Sequence, residues 1–173
     1  MGYVSDAALY QRLVGRVTSL QTWQVEQASP DTSRRYFDWL EFLVKGFWAY
    51  LIELARLSGD MSIYFYDLEQ AKTSIFAERF GVYPLVQLDT RMTEPEYIAA
   101  LNEEPGKVQR ETFAVANTNS YLIFPQSGKW HVHGEYSIEM AELASTVGVP
   151  ADNMFPHDFW DETEALRLVG SAR

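Results

Sequence analysis

The runs SYLIF (120–124) and KWHVH (129–133) are separated only by Pro125-Gln126-Ser127-Gly128. Four turn-forming residues cannot carry a crossover, so two strand-like runs joined this way lie side by side and antiparallel. A third run, 112–116, leads into the first through Asn117-Thr118-Asn119 and extends the hairpin to a three-stranded meander. In the last strand the pleat sends Trp130 and Val132 to one face and Lys129, His131 and His133 to the other. Glu135 continues the histidine face if the strand persists past Gly134.

Upstream the period is helical. Leu9, Leu13, Val17 and Leu20 predict a first helix over 6–27, and Ser29-Pro30-Asp31 punctuates it. Phe37, Leu40, Val44, Phe47, Leu51 and Leu54 form one wide stripe that predicts a second helix over 33–57, ended by Ser58-Gly59-Asp60. Two helices with a short link are expected to pack antiparallel. SIYFY (62–66) is dense in strand formers. Asp67 with Gln70 has the spacing of a capping box, predicting a helix that carries Leu68, Ala71, Ile75 and Phe76 inward as far as Gly81. VYPLVQL, from Val82, reads as a strand, and Pro84 assigns it to an edge because proline cannot donate to a ladder. Thr93 with Glu96 predicts another capped helix, with Pro95 in its tolerant first turn and a stop near Glu104-Pro105-Gly106.

Ser137 is expected to cap a helix that turns Met140, Leu143, Ala144 and Val147 to the sheet and Glu139 and Glu142 outward. A last helix is expected over 157–169. Together these elements predict one α+β domain over residues 1–173. Its N-terminal antiparallel helix pair (a helical layer, 1–60) would pack with a small, mainly antiparallel sheet and flanking helices (61–173).

Charge and composition narrow the function. With 47% hydrophobic and 22% charged residues, the chain can bury a real core. A net charge of −10 repels phosphate backbones and disfavours nucleic acid, while a basic protein is its natural complement. The absence of cysteine removes disulfides, thiolate zinc sites and cysteine nucleophiles. MGYVSDAALYQRLVG shows no basic start followed by an apolar run, so a cytoplasmic location is expected. The most apolar window, 36–57, is interrupted by Asp38, Glu41, Lys45, Glu53 and Arg56, which predicts a buried helix instead of a membrane span. Acidic polar faces would also be repelled by anionic lipid.

Chemistry-bearing patterns are sparse. His131 and His133, two strand rises apart on one face, have a spacing that can chelate a divalent ion. With His157 as a third ligand and Glu135 as general base they would form a metal-dependent hydrolytic site; the competing reading is a solvated strand face with no metal. No GxSxG elbow is present, Ser127-Gly128-Lys129 lacks the upstream glycine of a phosphate loop, and no dinucleotide fingerprint occurs. No cofactor is expected.

The strongest pattern is acidic. Between Trp130 and Leu166 stand eight acids (Glu135, Glu139, Glu142, Asp152, Asp158, Asp161, Glu162 and Glu164) and no lysine or arginine. The other sixteen acids face fourteen bases, so nearly the whole imbalance resides in this segment. Tyr136, Phe155, Phe159 and Trp160 interleave with it. Aromatic anchors inside an acidic rim are what a docking surface for a basic partner requires, and Tyr136 and Trp160 are the expected anchors. Glu135, Glu139 and Glu142, then Asp158, Asp161 and Glu162, are the expected charged contacts.

SGKWHVHGEYSIEMAELA (127–144) resembles bacterial immunity proteins that neutralise toxins of polymorphic, contact-dependent or type VI secretion systems. Those families carry a strand with an aromatic residue, a charged turn and an acid-bearing helix packed back on the sheet. The resemblance implies a non-enzymatic antitoxin that occludes a cognate toxin with a basic surface, often a nuclease cleft. The pair His131 and His133 departs from that pattern. A third possibility is an oligomeric structural subunit with residues 33–57 in its interface.

Overall fold

The hairpin across Pro125 is present, and the sheet extends on both sides of it. The computed structural model describes residues 2–17, 32–72, 74–106 and 113–171. Strand β5 (Ser120–Pro125) pairs antiparallel with β6 (Trp130–Glu135), with Ile123 opposite Val132. The other described strands are β1 (Gly2–Tyr3), β2 (Ser33–Asp38), β3 (Ser62–Asp67), β4 (Leu85–Asp89) and β7 (Met140–Ser145). All seven form one antiparallel sheet in the order β1-β4-β3-β5-β6-β7-β2. The architecture is α+β, with a larger sheet than the sequence suggested.

Both faces of the sheet are covered. On one face, Ile63, Phe65, Val86, Leu88, Tyr121, Ile123, Trp130, Val132, Ala141, Leu143 and Phe37 meet helix α2 (Phe47–Ser58) and helix α4 (Glu94–Leu101). Leu51 and Leu54 of α2 and Leu101 of α4 are fully buried there, each worth about 1.5–3 kcal/mol relative to exposure. The polar handles of the large aromatics are satisfied: Trp48 Nε1 donates to the Met92 carbonyl at 2.8 Å and Trp130 Nε1 to Ser58 Oγ at 3.2 Å. The Tyr121 hydroxyl reaches the Trp39 carbonyl at 2.7 Å by lying across Gly134, its cross-strand partner. A Cβ at Gly134 would collide with that ring, so only glycine fits. The opposite face is apolar at one end, where Leu13 of helix α1 (Ala7–Val17) packs with Tyr64, Tyr66, Leu85, Leu122 and Phe124. At its other end helix α5 (Glu162–Ser171) sets Ala165 against Tyr36 and Met140.

Several sequence expectations are corrected. The described part of the first helix and α2 pack on opposite faces of the sheet, so they are not an antiparallel pair; residues 18–27 of the expected helix lie outside the described residues. The expected helix over 33–57 splits into edge strand β2, a 3-10 helix over Trp39–Leu43 and α2. Gly46, at φ 98°, marks the break, a conformation that favours glycine. The expected stripe joined Phe37 of β2, Leu40 of the 3-10 helix and its C-cap Val44 to the true helical spacing of Phe47, Leu51 and Leu54 in α2. The helix expected after Ser137 is β7: this strand lies between β6 and β2 and is buried on both faces, so no alternation is visible in its sequence.

The remaining differences are local. Asp67 does accept from the amides of Glu69 and Gln70, but they enter a short 3-10 turn, and helix α3 spans only Ile75–Phe80 with Ile75 exposed. β4 starts after Pro84 and lies between β3 and the two-residue β1, not at a bare edge. Residue 112 lies outside the described residues, and Val115–Asn117 is a 3-10 turn where a strand was expected. The last helix begins at Glu162, not 157. The capping box at Thr93 and Glu96 forms as read, with Thr93 N donating to Glu96 Oε2 at 2.7 Å. Among the described residues no helix is long and apolar enough to cross a membrane.

Candidate partner-docking surface

The connection between β6 and β7 is a single tight structure. Glu135 caps the 3-10 turn Tyr136–Ile138 by accepting from the Ser137 amide, and Glu139 follows in the left-handed region at φ 52°. Backbone bonds fix the turn from both sides: Tyr136 N donates to the Asn119 carbonyl at 2.8 Å, and Trp39 N donates to the Glu139 carbonyl at 3.3 Å. The Tyr136 ring is thereby held out to solvent, 52% exposed, with only its edge against Trp39 at 5.1 Å between centroids. An aromatic ring presented by a braced turn has little conformational entropy left to lose on binding.

Trp39 begins the 3-10 helix Trp39–Leu43, whose Asp38 cap accepts from the Leu40 amide at 2.8 Å. At three residues per turn, positions i and i+3 eclipse. Glu41 and Phe42 are buried, while Leu40 and Leu43 stack on the outer side, 44% and 37% exposed. Leu43 also walls a groove of about 580 Å³ whose other lining residues are Lys45, Glu94, Pro95, Ile98, Ala99 and Asn102. Tyr136 thus rests on Trp39 at the start of this 3-10 helix, while Leu40 and Leu43 form an exposed apolar strip on it whose Leu43 reaches the groove.

Carboxylates stand in the turn and beside the strip. Glu139 is exposed and Glu135 half-buried on one side. On another side His157 Nδ1 meets buried Glu41 Oε1 at 2.5 Å, which ties the exposed Asp158 to the 3-10 helix. Ile138 of the β6–β7 turn packs into the Tyr36–Met140–Ala165 cluster, which places the start of α5 on the opposite face of the sheet from α2 and α4. There Asp161 caps the helix by accepting from the amides of Thr163 and Glu164, and Glu162 and Glu164 stand exposed in its first turn. Acids at a helix N-terminus are stabilised by the macrodipole, so this negative patch costs the fold little.

Two expected site residues fall elsewhere. Glu142 is 4% exposed on the interior of β7 and ion-paired with Arg34 of β2, so it is no surface contact. Burial raises its carboxyl above the usual range, and the Arg34 guanidinium offsets part of that rise. Trp160 is half-buried: its amide donates to the Tyr36 carbonyl on the edge of β2 at 2.8 Å, and its ring packs with the α5 cluster, which makes it a packing residue more than an anchor. Of the other segment aromatics, Phe155 is buried and Phe159 packs on it. Asp152, an acid of the same segment, pairs with Arg35 at 3.2 Å.

The histidines do not converge. β6 does persist to Glu135, and His131, His133 and Glu135 share one face as the pleat requires. His157 lies across the sheet, on the side of Glu41 and Phe155. Among the described residues no group of three or more histidine, aspartate or glutamate side chains is arranged to hold a metal ion. Burial lowers both strand histidines to about 4, so they are neutral near pH 7; the neighbouring Glu135 carboxylate opposes this at His133. His133 is enclosed in the sheet and His131 is half-buried beside it, in place of the freely solvated face that was the alternative.

Sequence reading missed Trp39, Leu40 and Leu43, because the helical stripe assigned Leu40 to the core. The available signal was Gly46, an unfavourable residue in mid-helix, which made a break near this point the better reading. Comparison with protein-family models, curated protein sequences and solved structures finds no match to this chain.

Proposed function

We propose that this chain is a non-enzymatic immunity protein of bacterial type, acting in the cytoplasm by binding and occluding a cognate toxin with a basic surface. The observation that carries this reading is the exposed Tyr136 on the braced β6–β7 turn, with Glu135 and Glu139 in the same turn and the exposed Leu40 and Leu43 on the adjoining 3-10 helix. An apolar centre supplies affinity once desolvated, and a one-signed rim steers a cationic partner and pairs with its Lys or Arg at the edge. Supporting it further, the turn that carries Tyr136 is built from braced backbone, and preorganisation of this kind lowers the cost of association. A nuclease cleft shaped for phosphates would accept such a row of carboxylates in place of nucleic acid.

The test is co-expression in a bacterial host with the toxin domain encoded beside this chain. Wild-type protein should restore growth, and the Glu139→Lys/Asp158→Lys double reversal, at two exposed acids, should abolish rescue while the protein still accumulates and melts normally. Rescue undiminished by the double reversal, or by Tyr136→Ala combined with it, would remove this surface from the mechanism. Growth inhibition that the wild-type chain never relieves would remove the antitoxin reading itself.

A further inference from the structure

One row of side chains crosses the sheet face on which α1 and α5 pack. Tyr66 of β3, Leu122 of β5, His133 of β6, Glu142 of β7 and Tyr36 of β2 stand opposite one another in register. In the next row Ala144 separates His131 of β6 from Arg34 of β2, and Arg34 pairs with Glu142. Three groups that can be cationic therefore share one enclosed carboxylate. Also facing His133 among the described residues are Glu135 on its own strand, the phenol of Tyr66 with the Tyr10 hydroxyl of α1 at 3.0 Å from it, and the phenol of Tyr36. Glu162 of α5 acts on the row through its charge on Glu142 and Tyr36. Burial raises the Tyr36 and Tyr66 phenols, so both stay neutral. Each proton added to a histidine puts a positive charge near Arg34 while Glu142 is already engaged, a cost that falls when water reaches the cluster.

The two helices on this face differ in what they bury. At the α1 end Leu13 is enclosed by Tyr64, Tyr66, Leu85, Leu122 and Phe124, with Leu9, Tyr10 and Val14 packed around it. Among the described side chains of α5, Ala165 is buried and Leu166 half-buried, with Trp160 packed just before the helix. Lifting α5 therefore gives up less apolar burial than lifting α1, and it uncovers Tyr36, the residue beside Glu142. The tie at its entry is the Trp160 amide on the Tyr36 carbonyl at 2.8 Å, while the Asp161 cap bonds to Thr163 and Glu164 and moves with the helix. We propose that α5 is an acid-released cover: protonation of the histidine pair drives this helix off the sheet while the strands stay paired. The sign follows from burial, which lowers both histidines from 6.5 to about 4, so the closed form is fully favoured above pH 6.5 and is lost as pH falls toward 4. Glu142, raised by burial, opposes this, one group against two.

The test is hydrogen exchange of the full chain, read by mass spectrometry at pH 8 and pH 5 and corrected for the intrinsic rate at each pH. On going to pH 5, protection of α5 should fall at least tenfold more than that of β3 and β5. His131→Gln/His133→Gln should remove most of that difference, and where the double variant folds poorly His133→Gln alone should reduce it at least threefold. Asp161→Asn keeps a capping oxygen that does not titrate, so the acid response should survive it. Unchanged protection of α5 at pH 5, or an equal loss in α5, β3 and β5, would overturn the proposal. A loss kept in full by the histidine variants, or abolished by Asp161→Asn, would assign the response to the helix cap and overturn it as well.

Discussion

The two faces of β6 solve the same burial problem with different chemistry. Trp130 and Val132 point into an aromatic and aliphatic layer under α2 and α4, where the indole donates to Ser58 Oγ. One residue away, His131 and His133 point to the other face, beside Glu142 and Arg34 on the adjoining strands. The first arrangement gains stability with every apolar atom it removes from water. The second holds ionisable groups that are tolerated only while the histidines stay neutral and the glutamate stays paired. The difference teaches that the acidic segment has to be divided by strand position before it is read as surface. Glu139 and Glu142 are separated by three residues, yet one is exposed and the other sealed inside.

The comparison can be broken by deletion on either face. Trp130→Ala removes the largest side chain of the apolar face on β6 and should cost about 4 kcal/mol, read as a shift of the urea midpoint with an unchanged slope. Glu142→Ala should cost about 3 kcal/mol, because Arg34 would then be buried without its carboxylate. By contrast Glu139→Lys should change stability by less than about 0.5 kcal/mol. Equal costs for Glu139 and Glu142 would erase the division.

Protonation sharpens it. The folded-state pKa values of His131 and His133, about 4, lie below the ordinary value of 6.5. Between those values the unfolded chain binds protons that the folded one refuses. Stability should therefore be fully present above pH 6.5 and be lost as pH falls toward 4, by on the order of 1–2 kcal/mol per histidine at pH 5. Glu142, whose folded carboxyl is raised by burial, acts in the opposite sense, as does Asp67. Chemical denaturation at pH 5 and pH 8 on wild type and His133→Gln separates the parts: the variant should lose about half of the histidine-driven slope. An unchanged slope would show that His133 titrates normally and is not enclosed.

At the turn a small effect of opposite sign is expected. Glu139 holds a left-handed backbone without being glycine, and Glu139→Gly should stabilise the fold by about 0.5–1 kcal/mol by calorimetry. The same change should weaken partner binding by removing a carboxylate from the rim. Stability and affinity moving in opposite directions is the signature of a residue kept for its surface.

How much of this the chain spelled out depended on where two signals agreed. The β5–β6 hairpin, the face division of Trp130 and Val132 from His131 and His133, and the Thr93–Glu96 cap were legible because turn chemistry and periodicity pointed the same way. β7 and β2 were not, because MAELAS and the SRRYFD–WLEFL junction are built from residues that suit helices, and their strand state comes from pairing with distant segments. The exposed acids around Tyr136 could be read from composition. The burial of Glu142 could not, since its partner Arg34 is far away in sequence and was assigned to a helix.

The most direct measurement is the association rate with the proposed toxin partner at low and high ionic strength, for wild type and the Glu139→Lys/Asp158→Lys variant. The wild-type rate should fall steeply with added salt, and the variant should associate at least tenfold more slowly and respond weakly to salt, with an unchanged melting temperature. Equal rates and equal salt dependence for the two proteins would contradict it.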